Sequence, residues 1–396
     1  MKIVLAAVMF SPNLGDGLIA ECLGAAFREA DAETEVIWLD LAGRTEFVAP
    51  SSGLRTIVLD LLARLPKGIS NRLAATLVRS QIRNRLAPNV STALNGADLM
   101  VIGGGQLLAD ANMNFPLKLA HIVKRAEAYE CPIAIHSVGV AQHWSKSGLD
   151  AFGHVLTSPM LRFISVRDDR SANNLQQHYS DLGQSPPCPI TVVPDPGLCA
   201  GRLTHVPDYD VLSQRPNIGL GVVHPAALAT HADTGSVMTV AQMSTAYIHL
   251  ITALTACDAQ VHVFTNGSGE DEKMLDTLWR QVGRYPNVQK VDRVGDPKRL
   301  VGFLKAMDAV ASHRLHACIA ANAVGTKAIG FRWDKKIDAY FEGSAQPNLL
   351  FDDVHATDQI VKKLLEPWCD TAQTKLQSLI PRVQNGAKQI LELIRD

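Results

Sequence analysis

The chain has 396 residues, 47% of them hydrophobic and 19% charged, with a net charge of −1. That length suits two or three soluble domains, and the balanced charge excludes a global footprint for nucleic acid, so a charged ligand has to be held by local groups. Seven scattered cysteines without a CxxC pair fit reduced thiols and offer no zinc spacing, and no apolar run reaches the roughly 18 residues of a membrane span.

The opening "MKIVLAAVMF" reads as a core strand and not a signal peptide. Its apolar run is short, and "SPNLGDG" follows where a small-residue cleavage site would stand. A helix is expected from near Asp16, which would serve as its N-cap. "EVIWLDL", "ADLMVIGGG", "PIAIHSVGV", "RFISVRD" and "PITVVPDPG" then read as strands, with helical patterns at 116–129 and 169–179. These runs are continuous and not alternating, as parallel strands covered on both faces require. Polar, proline-containing residues 201–216 read as a linker. A second series follows: "NIGLGVVH", "AQVHVFTNGSGED", "VQKVDRV", "MDAVAS" and "TKAIGFRW", with helices around 240–257, 270–284, 297–305, 315–323 and 356–366. The expectation is an α/β chain with two Rossmann-like doubly wound domains, 1–205 and 215–370, facing a cleft. An amphipathic helix, 371–396, is expected to pack back on the first domain.

One local bias stands out. Residues 51–90 carry Arg55, Arg64, Lys67, Arg72, Arg79, Arg83 and Arg85 against a single acid, Asp60. This is either a solvated basic helix pair or a surface that leans on anionic lipid or a lipid-linked pyrophosphate.

In open α/β sheets ligands bind beyond the carboxyl ends of strands, so the polar residues that follow each strand are the candidates. After the first come Asn13, Gly15 and Asp16, either a capped turn or groups that hydrogen-bond sugar hydroxyls. After the third, Gly103, Gly104 and Gly105 allow close backbone approach to an anion or form a mere tight turn. Arg167 follows the fifth, beside Asp168, and is either salt-bridged there or an anion ligand. In the second domain "SHRLHA" supplies Ser312, Arg314 and His316, and the next strand is followed by Lys335 and Lys336. A helix N-terminus, a guanidinium fork, an imidazole and an ammonium together suit a small ligand with both phosphate and carboxylate.

These pieces, "NLGDGLI", "VIGGGQLL", "SVG", "SVRDDRS", "VPDP" and "SHRLHACIAANAVGTKAIGFRWDKKI", resemble the polysaccharide pyruvyl transferase family and span most of the chain. The resemblance implies a two-domain glycosyltransferase-B-like fold and transfer of pyruvate from phosphoenolpyruvate onto a sugar, usually as a cyclic ketal. The acceptor would be a cell-surface polysaccharide or its lipid-linked precursor. No organic cofactor is implied, nor any metal. Carried over by position, Arg167, Arg314 and Leu315 would bind phosphoenolpyruvate, His316 would be catalytic or phosphate-binding, and Lys336 matches the family lysine. Lys335 stands where proline is frequent and Ala317 where glycine is, so which lysine faces the ligand stays open. The chemistry makes His316 the candidate general acid or donor to departing phosphate and Asp16 the candidate base toward a sugar hydroxyl, with Asn13, Gly104, Gly105 and Ser312 as further binding groups. A cytoplasmic protein, at most peripheral at the inner membrane face through 51–90, is expected. A nucleotide-sugar glycosyltransferase is the competing reading, with Glu270 and Asp271 the near candidates for a ribose contact. A non-catalytic glycan binder is a third. A dehydrogenase fits poorly, since no GxGxxG follows a first strand and no acidic residue sits at the right offset.

Overall fold

Strand β1 (Lys2–Ala7) shows why the apolar runs are continuous. Ile3 and Leu5 pack with Leu23 and Phe27 of helix Leu14–Ala30 and with Ile390 and Leu391 of the terminal helix Asp370–Arg395. Val4 and Ala6, pointing the other way, pack with Ile122 and Val123 of helix Asn114–Ala128. A strand between two helical layers has no face left for polar residues. Strand β3 (Leu99–Gly103) repeats the pattern, Leu99 and Val101 on one side and Met100 and Ile102 on the other.

The structure is a computed structural model that describes residues 1–47, 67–110, 112–211, 213–229 and 238–395, and for 67–72 and 229 the backbone alone. The chain divides into two compact units, the first made of Met1–Ser11, Ile19–Pro196 and Ile380–Asp396, the second of Pro12–Leu18 and Gly197–Leu379.

The first unit adds β2 (Glu35–Asp40), β4 (Ile133–Val138), β5 (Leu161–Val166) and β6 (Ile190–Val192) to β1 and β3. Its six strands run parallel in the order β2-β1-β3-β4-β5-β6. Helices Lys67–Gln81 and Ala87–Leu94, joined by the π turn Ile82–Leu86, belong to it. Arg55 and Arg64 of the basic stretch lie outside the described residues.

The second unit holds β7 (Asn217–Gly221), β8 (Gln260–Phe264), β9 (Val288–Lys290), β10 (Ala309–Ser312), β11 (Lys327–Phe331) and β12 (Leu350–Phe351). All pairs are parallel, in the order β12-β11-β10-β7-β8-β9. Winding reverses between β7 and β10, and crevices for ligands form outside the carboxyl ends of strands at such a point. The expected α/β class with two Rossmann-like halves is therefore found.

Some local readings change. Helix Leu14–Ala30 starts two residues before Asp16, so Asp16 sits in its first turn and is not the cap. Helix Lys146–Leu156 escapes the sequence pattern because two glycines interrupt it. Gly148 is needed, since a Cβ there would meet the Asp110 carboxylate. Helix Lys335–Gly343, capped by Asp334, was hidden behind the charged "DKK" run.

Candidate functional site

The second unit gathers most of the candidate residues at the carboxyl ends of β8, β10 and β11. Helix Leu315–Ala323 starts directly after β10, with Arg314 in extended conformation at its N-cap. Ser312 is fully buried, and its Oγ accepts the Arg314 N–H at 3.0 Å. It shapes the turn from below. Leu315 is also buried, as the first residue of the helix.

The Arg314 side chain, 15% exposed, is clamped from one side. Its Nε and Nη2 donate to Asp271 Oδ2 at 2.9 and 2.6 Å. Asp271 is 0% exposed, and its other oxygen accepts the His224 N–H at 2.9 Å. A buried carboxylate with every oxygen engaged is a fixed anchor. Breaking such a pair costs about 3–5 kcal/mol because the surviving charge is stranded. A ribose-binding role for Asp271 would need a carboxylate open to ligand, and this one is sealed under the arginine.

His313, the preceding residue, is buried, and Tyr247 holds it. The Tyr247 hydroxyl accepts the Val223 N–H at 3.2 Å and shares a hydrogen bond with His313 Nδ1, 3.1 Å away. Burial, reinforced by the Arg314 charge, pulls the His313 pKa down to about 3, which keeps the ring neutral. Burial likewise pushes the Tyr247 phenol above its ordinary range. The His313 carbonyl accepts from Trp333 Nε1 at 2.6 Å. Trp333 thereby ties the loop after β11 to the loop after β10, its strand neighbour.

Lys336 rides on that indole, with Nζ 4.5 Å from the ring centroid and 3.1 Å from Asp334 Oδ2. Lys335 is exposed. Of the two lysines, Lys336 is the one oriented by neighbours beside the Arg314 loop.

The turn Pro12–Leu18 also counts with this unit. Leu14 N–H donates to Asn266 O at 2.8 Å, which docks the turn on the loop after β8. A Cβ on Gly15 would stand 2.7 Å from His316 Cβ and 2.9 Å from its Nδ1, so only glycine lets the backbone lie against this ring. His316 and Asp16 are both half-buried. Asn13 Nδ2 donates to Asp16 Oδ2 at 3.4 Å, and Asp16 N–H donates to Asn13 O at 3.1 Å. Four sequence-distant pieces thus meet: Asn13–Asp16, Asp271, Ser312–His316 and Trp333–Lys336.

The first unit carries the remaining candidates. Gly104 and Gly105 follow β3 with φ of +72° and +73°, and a Cβ at Gly104 would collide with Ile19. Left-handed backbone and close approach both demand glycine there. Arg167, with a side chain 7% exposed, donates from Nε to Asp168 Oδ2 at 3.2 Å and from Nη2 to Gln106 Oε1 at 2.8 Å. Asp168 also caps helix Asp169–Asp181 through the Ser171 N–H. The salt-bridged alternative is realised at Arg167.

Sequence reasoning missed Asp271 as the partner of Arg314, and also His313, Tyr247 and Trp333. Among the described residues no group of three or more His, Cys, Asp or Glu could hold a metal, and no helix is long and apolar enough to cross a membrane.

The solved structures most similar in fold include the UDP-N-acetylglucosamine 2-epimerase of Rickettsia bellii, at 12% identity and TM-score 0.57 over 100% of this chain and 96% of that one. The corresponding epimerase of Neisseria meningitidis bound to UDP-GlcNAc matches at 10% and 0.55 over 99% of each chain. A trehalose-6-phosphate synthase matches at 10% and 0.53, over 100% and 99%. These likenesses show a shared glycosyltransferase-B fold. No curated protein matches the chain in sequence. The sequence profile described as Polysaccharide pyruvyl transferase matches residues 13–335, a span that includes both the Asn13–Asp16 turn and the Arg314–His316 helix start. The chain belongs to the polysaccharide pyruvyl transferase family and is a transferase.

Proposed function

We propose that the protein moves pyruvate from phosphoenolpyruvate onto two hydroxyls of a sugar, as a cyclic ketal, with a cell-surface polysaccharide or its lipid-linked precursor as acceptor. The observation that carries this reading is the grouping in the second unit, on the hydrogen-bonded loops after the neighbouring strands β10 and β11, of an anchored guanidinium, an imidazole and an oriented ammonium. A donor with phosphate and carboxylate on three carbons needs that many cations in so small a space.

Ketal formation needs a proton on the methylene carbon of the donor, which leaves an oxocarbenium-like centre on the neighbouring carbon. One sugar hydroxyl attacks that centre and gives up its proton. The bond to phosphate breaks, and the second hydroxyl closes the ring. Of the two hydroxyl protons, one balances the new methyl group and one leaves with phosphate. His316 serves as the acid or as donor to departing phosphate, and Asp16 as base, steered by Asn13. Arg314, with Asp271 occupying Nε and sharing Nη2, turns its remaining donors to the anion. Lys336 adds a second positive charge. Gly15 matters because it lets His316 sit against the turn that bears Asp16. The resemblance gives Arg167 a role in binding phosphoenolpyruvate, and the Arg167→Ala variant tests that separately.

The test is phosphate release from phosphoenolpyruvate in the presence of glucose, galactose or mannose p-nitrophenyl glycosides, with a new ketal methyl signal in the proton spectrum. Thermal stabilisation by UDP-GlcNAc and none by phosphoenolpyruvate would instead support the nucleotide-sugar reading.

A further inference from the structure

The helical run from Lys67 to Leu94 has an outer face that the chemistry above does not use. Inward, Ile82, Leu86 and Val90 join the core of the first unit. Outward, Leu73 and Leu77, one turn apart, are 46% and 51% exposed. Among the described residues, only Tyr129, Leu365 and Leu393 are other large apolar side chains left so open. Arg79, Arg83 and Arg85 are exposed on the same run. From Leu61 to Ala97 the sequence holds six cations, Arg64, Lys67, Arg72, Arg79, Arg83 and Arg85, and no acid. In a chain whose total charge is −1, that is a strictly local excess.

The π turn at Ile82–Leu86 is part of this surface. Ala87 N–H bonds to Ile82 O, five residues back, so the turn takes up one extra residue. That shifts the helical phase at Arg83 and Arg85, which lie within the turn, relative to the Leu73–Leu77 pair, while Arg79 precedes it and Ile82 and Leu86 stay buried. Arg85 lines a shallow depression with Arg44, Asn84 and Glu46, so one acid lies in its neighbourhood. Nothing of the kind is seen for Arg79 or Arg83 in the hydrogen bonds and ion pairs of the described residues.

We propose that this face rests on an anionic lipid bilayer, with Leu73 and Leu77 entering the headgroup boundary and Arg79 and Arg83 contacting lipid phosphates. Exposed leucines beside acid-free basic turns are what an interfacial helix requires. Each arginine near an anionic surface contributes about a fivefold gain in binding. A second copy of this chain is the poorer occupant, because it would press arginine against arginine with no acid between them. The inference goes beyond the reaction proposed above, since it concerns where the enzyme stands and needs neither substrate.

The experiment is co-sedimentation of the full chain with phosphatidylcholine vesicles, with and without a minority of phosphatidylglycerol. Binding is expected only to the anionic vesicles, and raised sodium chloride should release it. Arg79→Ala with Arg83→Ala should weaken binding about twenty-five-fold. Leu73→Ser with Leu77→Ser should also weaken it, and both pairs should keep the wild-type melting temperature, since all four side chains are exposed. Equal binding to neutral vesicles, no binding at low salt, or variants that sediment like the wild type would overturn the proposal. So would release by inorganic phosphate well below the ionic strength at which chloride acts, which would assign the arginines to a free anion. Light scattering that shows a dimer lost in the leucine variant would overturn it in favour of self-association.

Discussion

Two arginines leave the ends of parallel strands, one in each unit, and each meets an aspartate. Arg167 pairs with its sequence neighbour Asp168, which is 25% exposed at the side chain and shared with a helix cap. Arg314 pairs with Asp271, 43 residues away, which is 0% exposed and holds two of its nitrogens. The first pair is local and partly open to solvent. The second joins two crossover helices and depends on the whole sheet being folded. Preorganisation is therefore greater at Arg314, and the proposed chemistry next to it at His316 benefits most. That contrast can be broken or sharpened by experiment.

The largest effect is expected beside the better-anchored arginine. His316→Ala should lower kcat by about 10²–10⁴, the usual contribution of a positioned general acid, with little change in melting temperature because the ring is only half-buried. The measurement is steady-state phosphate release. Full turnover in the variant would remove His316 from the chemistry.

Next comes the pair itself. Asp271→Ala should cost about 3–5 kcal/mol of stability, because the Arg314 charge is left without its buried partner. Asp168→Ala should cost only about 1 kcal/mol, the worth of a helix cap with a partly exposed ion pair. Urea unfolding of both variants compares them directly. Equal losses would mean that the two arginines are anchored alike.

How much of this contrast could be read beforehand follows from the same residues. Continuous apolar strands, alternate helices and the Ser312–His316 stretch are local patterns, so the fold class and most of the candidate site were legible. The Asp271–Arg314 pair was not, because it is a contact across 43 residues between separate βα units. A signal was there nonetheless. Asp271 falls in line with Met274, Leu275 and Leu278 on the apolar stripe of helix Gly269–Val282. A carboxylate on such a stripe has to be buried and paired. The Trp333 platform was hidden for another reason: indole contacts depend on how the loops after β10 and β11 lie, which strand spacing alone does not fix.

Acid should expose a likeness between the units where the arginines show a difference. Each holds a buried histidine whose pKa burial lowers to about 3 from 6.5, His136 in the first and His313 in the second. Above pH 6.5 both are neutral in folded and unfolded chains, so neither affects stability. Between pH 6.5 and about 3 the unfolded chain binds protons that the folded chain refuses. Stability then falls as pH falls, by up to about 1.4 kcal/mol per pH unit for each histidine. Urea midpoints at several pH values should decline below 6.5, and His136→Gln and His313→Gln should each flatten the decline. A midpoint independent of pH in that window would mean that neither ring is held neutral.

The smallest effect separates the two lysines that the sequence left open. Lys336 is held by Asp334 and by the face of Trp333, whose indole is bonded to the residue before Arg314. Lys335 is exposed at the first position of its helix. An ammonium already held in place loses little side-chain freedom when an anion arrives, whereas a free one must give up its rotamers, which offsets much of the attraction. Lys336→Ala should therefore raise the KM for phosphoenolpyruvate about tenfold, in line with the loss of one charge-assisted hydrogen bond. Lys335→Ala should leave KM unchanged. If the two outcomes were reversed, the Trp333 platform would be a structural brace for the β10 and β11 loops and not an arm of the donor site.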